Sequence, residues 1–278
     1  MNELVSIIIP NFNGAQFLLE AVSSAIKQNY LEKEIIVVDD GSTDNSLEIL
    51  GELGLKIRVV ATSNLGASAA RNAGILAANG EYLAFLDSDD VWVENKLSLQ
   101  MDYMEKTDSD LVYCHGQEFG SPDGVDAFHE AIFSGDCYKY FRQFPGRAII
   151  DMGPSTALIK KSLLSVSGIF DSSFTGPAED WDFFRRYCRT AKVGFCDQVL
   201  VHRRNHSNNV SHRSLKEYYS GNRRALLKMF AEDSRIGILE RRLIWFGFNF
   251  AFTKSFMKGG LPINAFRSLI RICMPITF

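Results

Sequence analysis

Short β-branched apolar runs alternate with helical periodicity through the first third of the chain. Val5, Ile7, Ile8 and Ile9, halted by Pro10, form a continuous run of the kind buried on both faces of a parallel sheet. A turn at 11–14 follows, and then Phe17, Leu18, Ala21, Val22, Ala25 and Ile26 recur at helical spacing. Residues 34–38 are a second run and end in Asp39, Asp40 and Gly41. The pattern predicts a helix over 46–53, a strand over 57–61, a turn at 64–66 and a small-residue helix over 67–78. A fourth run, 82–86, stops at Asp87, Ser88, Asp89 and Asp90. Such alternation implies a mostly parallel sheet with helices on both faces. Ligands of these sheets sit beyond the carboxyl ends of the strands. Asn11, Asp39, Asp40, Asp87, Asp89 and Asp90 all fall there, so one crevice is expected to collect them.

The second half is less regular. Leu97, Met101 and Met104 predict a helix over 92–106, and 110–114 reads as another strand. Residues 116–146 are polar and irregular, too long for a plain connection, and suit a substrate loop or an insertion. The apolar stretch 149–159 leads to Lys160 and Lys161. A Gly- and Pro-bearing loop at 176–178 gives way to a helix with Glu179 and Asp180 in its first turn. A strand at 199–201 precedes a basic, polar stretch at 202–211. From Leu215 the chain turns helical and basic, and 243–252 is an uncharged run flanked by Arg241, Arg242, Lys254 and Lys258. That run is too short to span a bilayer. It suits either a helix lying in an anionic membrane interface or a helical pair packed on the preceding domain or on a second subunit.

Composition bounds the chain as globular: 278 residues, 46% apolar, 23% charged and a formal net charge of −3, which carries no nucleic-acid signal. The charge is unevenly placed. From His212 onward there are 12 Lys and Arg against 4 Asp and Glu, leaving 18 against 29 before it. The expected division is a main domain at 1–211, with halves at 1–105 and 106–211, and a basic amphipathic helical region at 212–278. Five cysteines without a C-x-x-C pair fit reduced, buried thiols. The start at Met1 shows no basic n-region or cleavage signature, so a cytoplasmic protein is expected, peripheral at the inner membrane face.

Three carboxylates within four residues at a strand end need positive charge among them. A divalent cation supplies it most simply, and hard oxygen ligands suit Mg²⁺ or Mn²⁺, which also take phosphate oxygens. The plain alternative is a solvated turn whose Asp caps the next helix. Neither G-x-G-x-x-G nor G-x-x-x-x-G-K-[ST] occurs, so dinucleotide and P-loop fingerprints are absent. A crevice that holds a nucleotide through carboxylates and a metal remains.

Four blocks in series, VSIIIPNFN (5–13), VDDGS (38–42), NLGASAARNAG (64–74) and FLDSDD (85–90), resemble the signature blocks of family 2 glycosyltransferases over roughly the first 210 residues. The resemblance implies a GT-A fold, a nucleotide-diphospho-sugar donor, most simply a UDP-sugar, a divalent metal and inversion at the anomeric carbon. By that resemblance, Pro10 and Phe12 line the base pocket, and Asp39 or Asp40 accepts from the uracil N3–H while the other braces the loop. Arg71 lies near the nucleotide, or else pairs with an Asp of the second strand. Asp87, with Ser88 beside it, holds the ribose or donor sugar; Asp89 ligates the metal; Asp90 caps the following helix.

The Glu-Asp block of the family lies where Glu179 and Asp180 stand. Helix-dipole complementation alone would account for both. The resemblance makes Asp180 the general base and gives Glu179 a part in holding acceptor hydroxyls, with Trp181 either stacked on a sugar or buried. Arg204 and His206 match an element near the donor diphosphate, His206 as a metal ligand. A glycan or a lipid-linked acceptor, a membrane-surface contact through 237–278 and self-association are the expected partners. A sugar-phosphate nucleotidyltransferase would carry a Gly-rich basic loop after the first strand, which is lacking. A non-catalytic sugar-binding module would have lost a carboxylate, yet Asp87, Asp89 and Asp180 are present.

Overall fold

The computed structural model of the chain describes residues 3–120, 128–129, 133–143, 153–174, 176–206, 209, 214–261, 263–265 and 267–268. The predicted alternation is there: β1 (Val5–Asn11), α1 (Ala15–Ile26), β2 (Lys33–Asp39), α2 (Ser46–Leu53), β3 (Arg58–Ala61), α3 (Ala67–Ala77) and β4 (Tyr82–Phe85). After them come β5 (Val91–Trp92), α4 (Lys96–Thr107), β6 (Leu111–Phe119), β7 (Phe128–His129) and α5 (Tyr138–Gln143). β8 (Leu158–Lys160), α6 (Leu164–Ser167), α7 (Glu179–Tyr187) and β9 (Val193–Arg204) complete the sheet, and α8 (Leu215–Glu232) and α9 (Ile238–Lys258) follow it.

One sheet runs β3-β2-β1-β4-β8-β6-β9-β5, with β7 paired to β6. β3, β2, β1 and β4 are parallel, which brings Asn11, Asp39 and the segment after Phe85 to one edge. β8 inserts antiparallel between β4 and β6, and β6 and β9 are again parallel. The sheet is the expected mixed α/β architecture with helices on both faces. Ile7 and Ile9 join Leu18 and Val22 on one face; Ile8 packs with Ala70 and Ile75 on the other. Gly74 permits that second contact, since a Cβ there would meet Ile8 Cγ2 at 2.4 Å.

Several boundaries differ from the sequence reading. Trp92 belongs to a strand, and the helix begins at Lys96, not at 92. The amides of Trp92 and Val93 are taken by Ser24 Oγ and Leu200 O, so tertiary pairing overrides the helical periodicity. The short strand at 199–201 is part of the longer β9, paired over most of its length to β6. Within 116–146, β6 continues to Phe119 and α5 forms, while 121–127 and 144–146 lie outside the described residues.

Aromatic stacking ties the sheet to α7. Phe170 stacks on Phe183 with centroids 4.0 Å apart, and Phe85 meets both edge-on. Removing the buried Phe183 ring would cost roughly 3–5 kcal/mol. Helix α8 packs on α7 and approaches Pro177 so closely that a Cβ at Gly221 would fall 2.2 Å from its carbonyl oxygen. Tyr219, Phe230, Trp245, Phe248 and Phe256 share one core with Phe85 and Phe183, so the C-terminal pair is docked on the sheet-bearing body. Cys114, Cys137, Cys188 and Cys196 are buried and unbridged, and burial pushes the thiols of Cys114 and Cys137 up to about 12. Cys273 lies outside the described residues.

Candidate active site

The carboxyl edge of the sheet carries the predicted polar residues, with different partners for each. Pro10 is buried opposite Val38, and Phe12 stands beyond it with 47% of its surface open. Asp39 and Asp40 are both buried. Asp39 accepts from Asn11 Nδ2 (2.9 Å), Ser42 Oγ (2.6 Å) and Ser42 N (3.0 Å), which locks the turn after β2 onto the end of β1. Asp40 accepts from Thr62 Oγ1 (2.7 Å) and from the amides of Leu65 (2.8 Å) and Gly66 (2.7 Å), which ties down the loop that starts α3. Asp40 thus braces a loop on the edge of the crevice.

Arg71 supplies much of the positive charge that the acidic strand end requires. It is buried, and its guanidinium donates to Asp87 Oδ1 at 2.8 Å and to Glu179 Oε1 at 2.5 Å. Burial alone would lower its pKa, but the two carboxylates outweigh it and hold the group above its ordinary value. Arg71 does not pair with Asp39 or Asp40 of the second strand; its partners are the end of β4 and the start of α7. Ser68 Oγ donates to the other oxygen of Glu179 at 3.0 Å. Glu179 is therefore engaged on both sides by α3.

The Asp87-to-Asp90 turn is closed by Asp90 N donating to Asp87 O, and the Asp87 amide donates to Ser155 Oγ at 3.1 Å. Ser88 is half-buried beside Gly14. Asp89 Oδ2 lies 3.0 Å from His206 Nε2. Burial, then the Asp87 charge, push the Asp89 carboxyl up, against the pull of His206. Asp90 does not cap the following helix. It is buried, accepts the Arg204 amide at 3.3 Å, and is separated from the start of α4 by β5. Burial and the charges of Asp89 and Asp87 raise it well above the usual carboxylate range. Arg204 lies between the rings of Phe17 and Phe119, 4.6 and 4.5 Å from their centroids, and pairs with Glu20.

Asp180 opens α7. The residue before Glu179, Ala178, is held at φ +81°, a left-handed conformation that costs an L-residue about 1–2 kcal/mol. Asp180 Oδ1 accepts its neighbour's amide, Trp181 N, at 2.7 Å, and Oδ2 faces Gly153. Burial, then Glu179, raise the Asp180 carboxyl, and Asp87 adds to the effect against the pull of Trp181 N and Arg71. Asp87 thus acts electrostatically on both Asp89 and Asp180. Trp181 is buried against Phe141 rather than open to a sugar. Ser68, Ser155 and Phe17 were not singled out in the sequence: the two serines sit in small-residue runs, and Phe17 reads simply as an apolar helix position.

Asp89 and His206 offer two donors on one spot. Among the described residues no three His, Cys, Asp or Glu side chains gather as a ready-made metal cage. A divalent cation that binds nucleotide diphosphates needs few protein ligands, because phosphate oxygens and water complete its shell. The Asp89–His206 pair fits that requirement.

The fold is that of a GT-A glycosyltransferase. Residues 1–349 of TarS from Staphylococcus aureus, solved with UDP-GlcNAc, are similar over 94% of this chain and 79% of that one, with a TM-score of 0.69 and 22% identity. A mannosyltransferase from Pyrobaculum calidifontis, solved with GDP-Man and Mn²⁺, is similar over 100% of this chain and 89% of that one, with a TM-score of 0.57 and 15% identity. Residues 6–167, more than half of the 278, match the family model described as glycosyl transferase family 2, and the chain belongs to that family. An uncharacterized glycosyltransferase of Rickettsia prowazekii is 33% identical over 229 residues, 77% of this chain and 69% of that protein. The Escherichia coli protein WfgD, named as a UDP-Glc:α-D-GlcNAc-diphosphoundecaprenol β-1,3-glucosyltransferase, is 38% identical over 112 residues, 40% of this chain and 44% of WfgD. Family membership sets aside the nucleotidyltransferase and the non-catalytic module.

Proposed function

We propose that this glycosyltransferase moves a sugar from a UDP-sugar to a hydroxyl of a glycan or lipid-linked acceptor, with inversion, and that Asp180 is its general base. The observation that carries the assignment is the contrast at the start of α7. Both oxygens of Glu179 are taken by Arg71 and Ser68, whereas Asp180 keeps Oδ2 outside any hydrogen bond among the described residues and has a raised carboxyl. A raised carboxylate is a better proton acceptor at neutral pH than an ordinary one. Asp180 takes the proton of the acceptor hydroxyl as that oxygen attacks the anomeric carbon. The bond to the nucleotide diphosphate breaks on the opposite face, and the electron pair leaves with the diphosphate.

Pro10, Phe12 and the Asp39–Asp40 edge form the base pocket, and Asp87 with Ser88 meets the ribose or donor sugar. Glu179 holds Arg71, and through it Asp87, in position. Asp89 and His206 would hold Mn²⁺ or Mg²⁺, which would supply Lewis-acid neutralisation of the diphosphate. Arg204 adds a cation on the same side. These charges meet the leaving group most strongly once its bond has broken, which lowers the barrier rather than the ground state. Residues 1–105 serve the donor, 106–211 the acceptor, and 212–278 form the appended helical region. The name of WfgD supports a lipid-linked acceptor, and the UDP-GlcNAc complex of TarS supports a uridine donor.

The test is UDP release from a panel of UDP-sugars with Mn²⁺ and a diphospholipid-linked sugar as acceptor. Acceptor-dependent release that EDTA abolishes is expected. Release indifferent to EDTA would remove the metal from the proposal, and none from any donor would remove the uridine.

A further inference from the structure

Helix α9 is apolar on two opposite faces, and only one of them is used by the fold. Ile244, Trp245, Phe248 and Phe256 point into the core, where Asn249 also bonds Tyr219. Leu239, Leu243, Phe246, Phe250 and Met257 point away and are 43% to 72% exposed. At 3.6 residues per turn these five fall within an arc of roughly 60° and along roughly 27 Å of helix. Phe246 and Phe250 stack on each other along this line, with centroids 5.8 Å apart and planes 9° apart.

Cations predominate beside the stripe. Arg242 flanks it on one side, and Lys254 and Lys258 on the other; all three are exposed. Lys254 Nζ lies 4.7 Å from the Phe250 ring centroid. Glu240, the acid of this helix, is turned to Arg142. Beyond Glu240 the sequence contains no Asp or Glu, while Arg241, Arg242, Lys254, Lys258, Arg267 and Arg271 follow. Among the described residues no helix is long and apolar enough to cross a membrane.

We propose that the outward face of α9 lies in the interface of an anionic lipid surface, with Leu243, Phe246 and Phe250 inserted and Arg242, Lys254 and Lys258 at the headgroups. An apolar stripe bordered by cations is the arrangement that such a surface binds. A second copy of the chain fits less well, because two-fold pairing about the middle of the stripe would set Arg242 against Lys254. The far end of α9 comes close to Leu215 at the start of α8. The inference goes beyond the reaction proposed above and is read without any turnover.

The experiment is co-sedimentation of the full chain with phosphatidylcholine vesicles and with vesicles that also carry phosphatidylglycerol, at low and high salt, with light scattering in parallel. Binding to the anionic vesicles should exceed binding to the neutral ones by about tenfold or more and should weaken with salt. The combined change Arg242→Glu, Lys254→Glu and Lys258→Glu should weaken it on the order of a hundredfold. Phe246→Glu should weaken it strongly at unchanged thermal stability, since the ring is exposed. Three results would overturn the proposal: no sedimentation with anionic vesicles, sedimentation that Phe246→Glu leaves intact, or a dimer that Phe246→Glu dissolves without any vesicle binding.

Discussion

Asp180 and Asp182 stand two residues apart on α7 and meet opposite surroundings. Asp182 is fully buried and bonded to Arg185, Arg186 and Lys228. Burial would raise it, but those cations outweigh burial and hold its carboxyl below the usual range. Asp180 bonds only the amide of Trp181 among the described residues and is raised. One carboxylate is spent on cohesion. The other is kept short of positive charge, a state that costs stability and suits proton transfer. The same division runs through the strand-end cluster, where Asp87 is satisfied by Arg71 while Asp89 and Asp90 are raised.

Asp180→Asn tests the contrast most severely. Turnover should fall about 10²- to 10⁴-fold, with UDP binding by calorimetry retained and the melting temperature no lower than that of the native chain. Near-normal turnover would give the base to another residue. Asp182→Ala should do the reverse. It leaves the buried Arg185 with Glu232 alone of its two carboxylates and should cost about 3 kcal/mol in urea unfolding, while the fraction still folded binds UDP as before.

Acid separates the two roles again. Asp182 and Asp171, the latter also held low by Lys228 against its own burial, have folded values below the unfolded value of about 4. Their stabilisation is present above that value and is lost as pH falls through the lower folded values. Asp180 is shifted the other way, so kcat/KM should decline as pH falls while still above about 4, where protonation of the raised carboxyl adds to the unfolding free energy instead of lowering it. A single pH at which activity and stability fail together would break the distinction. The smallest effect is expected from Ala178→Gly. Relief of the left-handed backbone, offset by greater freedom in the unfolded chain, should change stability by less than about 1 kcal/mol. Turnover should drop several-fold because Asp180 is held less firmly, as a melt and a rate measurement on one preparation would show.

Much of the architecture could be read in advance. The apolar runs ending in Pro10, Asp39 and Asp87 marked three parallel strands, and their order placed the polar residues on one edge. The strand at Val91–Trp92 was hidden, because its pairing partner is more than a hundred residues away in β9 and the local periodicity is helical. The same distance misdirected Asp90, which serves Arg204 instead of a helix end. The uncharged run in α9 announced an apolar helix but not that two of its faces are apolar and just one is covered.

The sequence by itself determined where β2 and β4 stop and that carboxylates stand at those stops, because both are local: periodicity fixes the element, and position along it fixes the edge. Only the tertiary structure decided which carboxylates are neutralised. Arg71 reaches Asp87 across 16 residues and Glu179 across 108. Coulomb energy and burial depend on distance in space, so nothing in the local pattern distinguishes the committed Glu179 from Asp180 beside it.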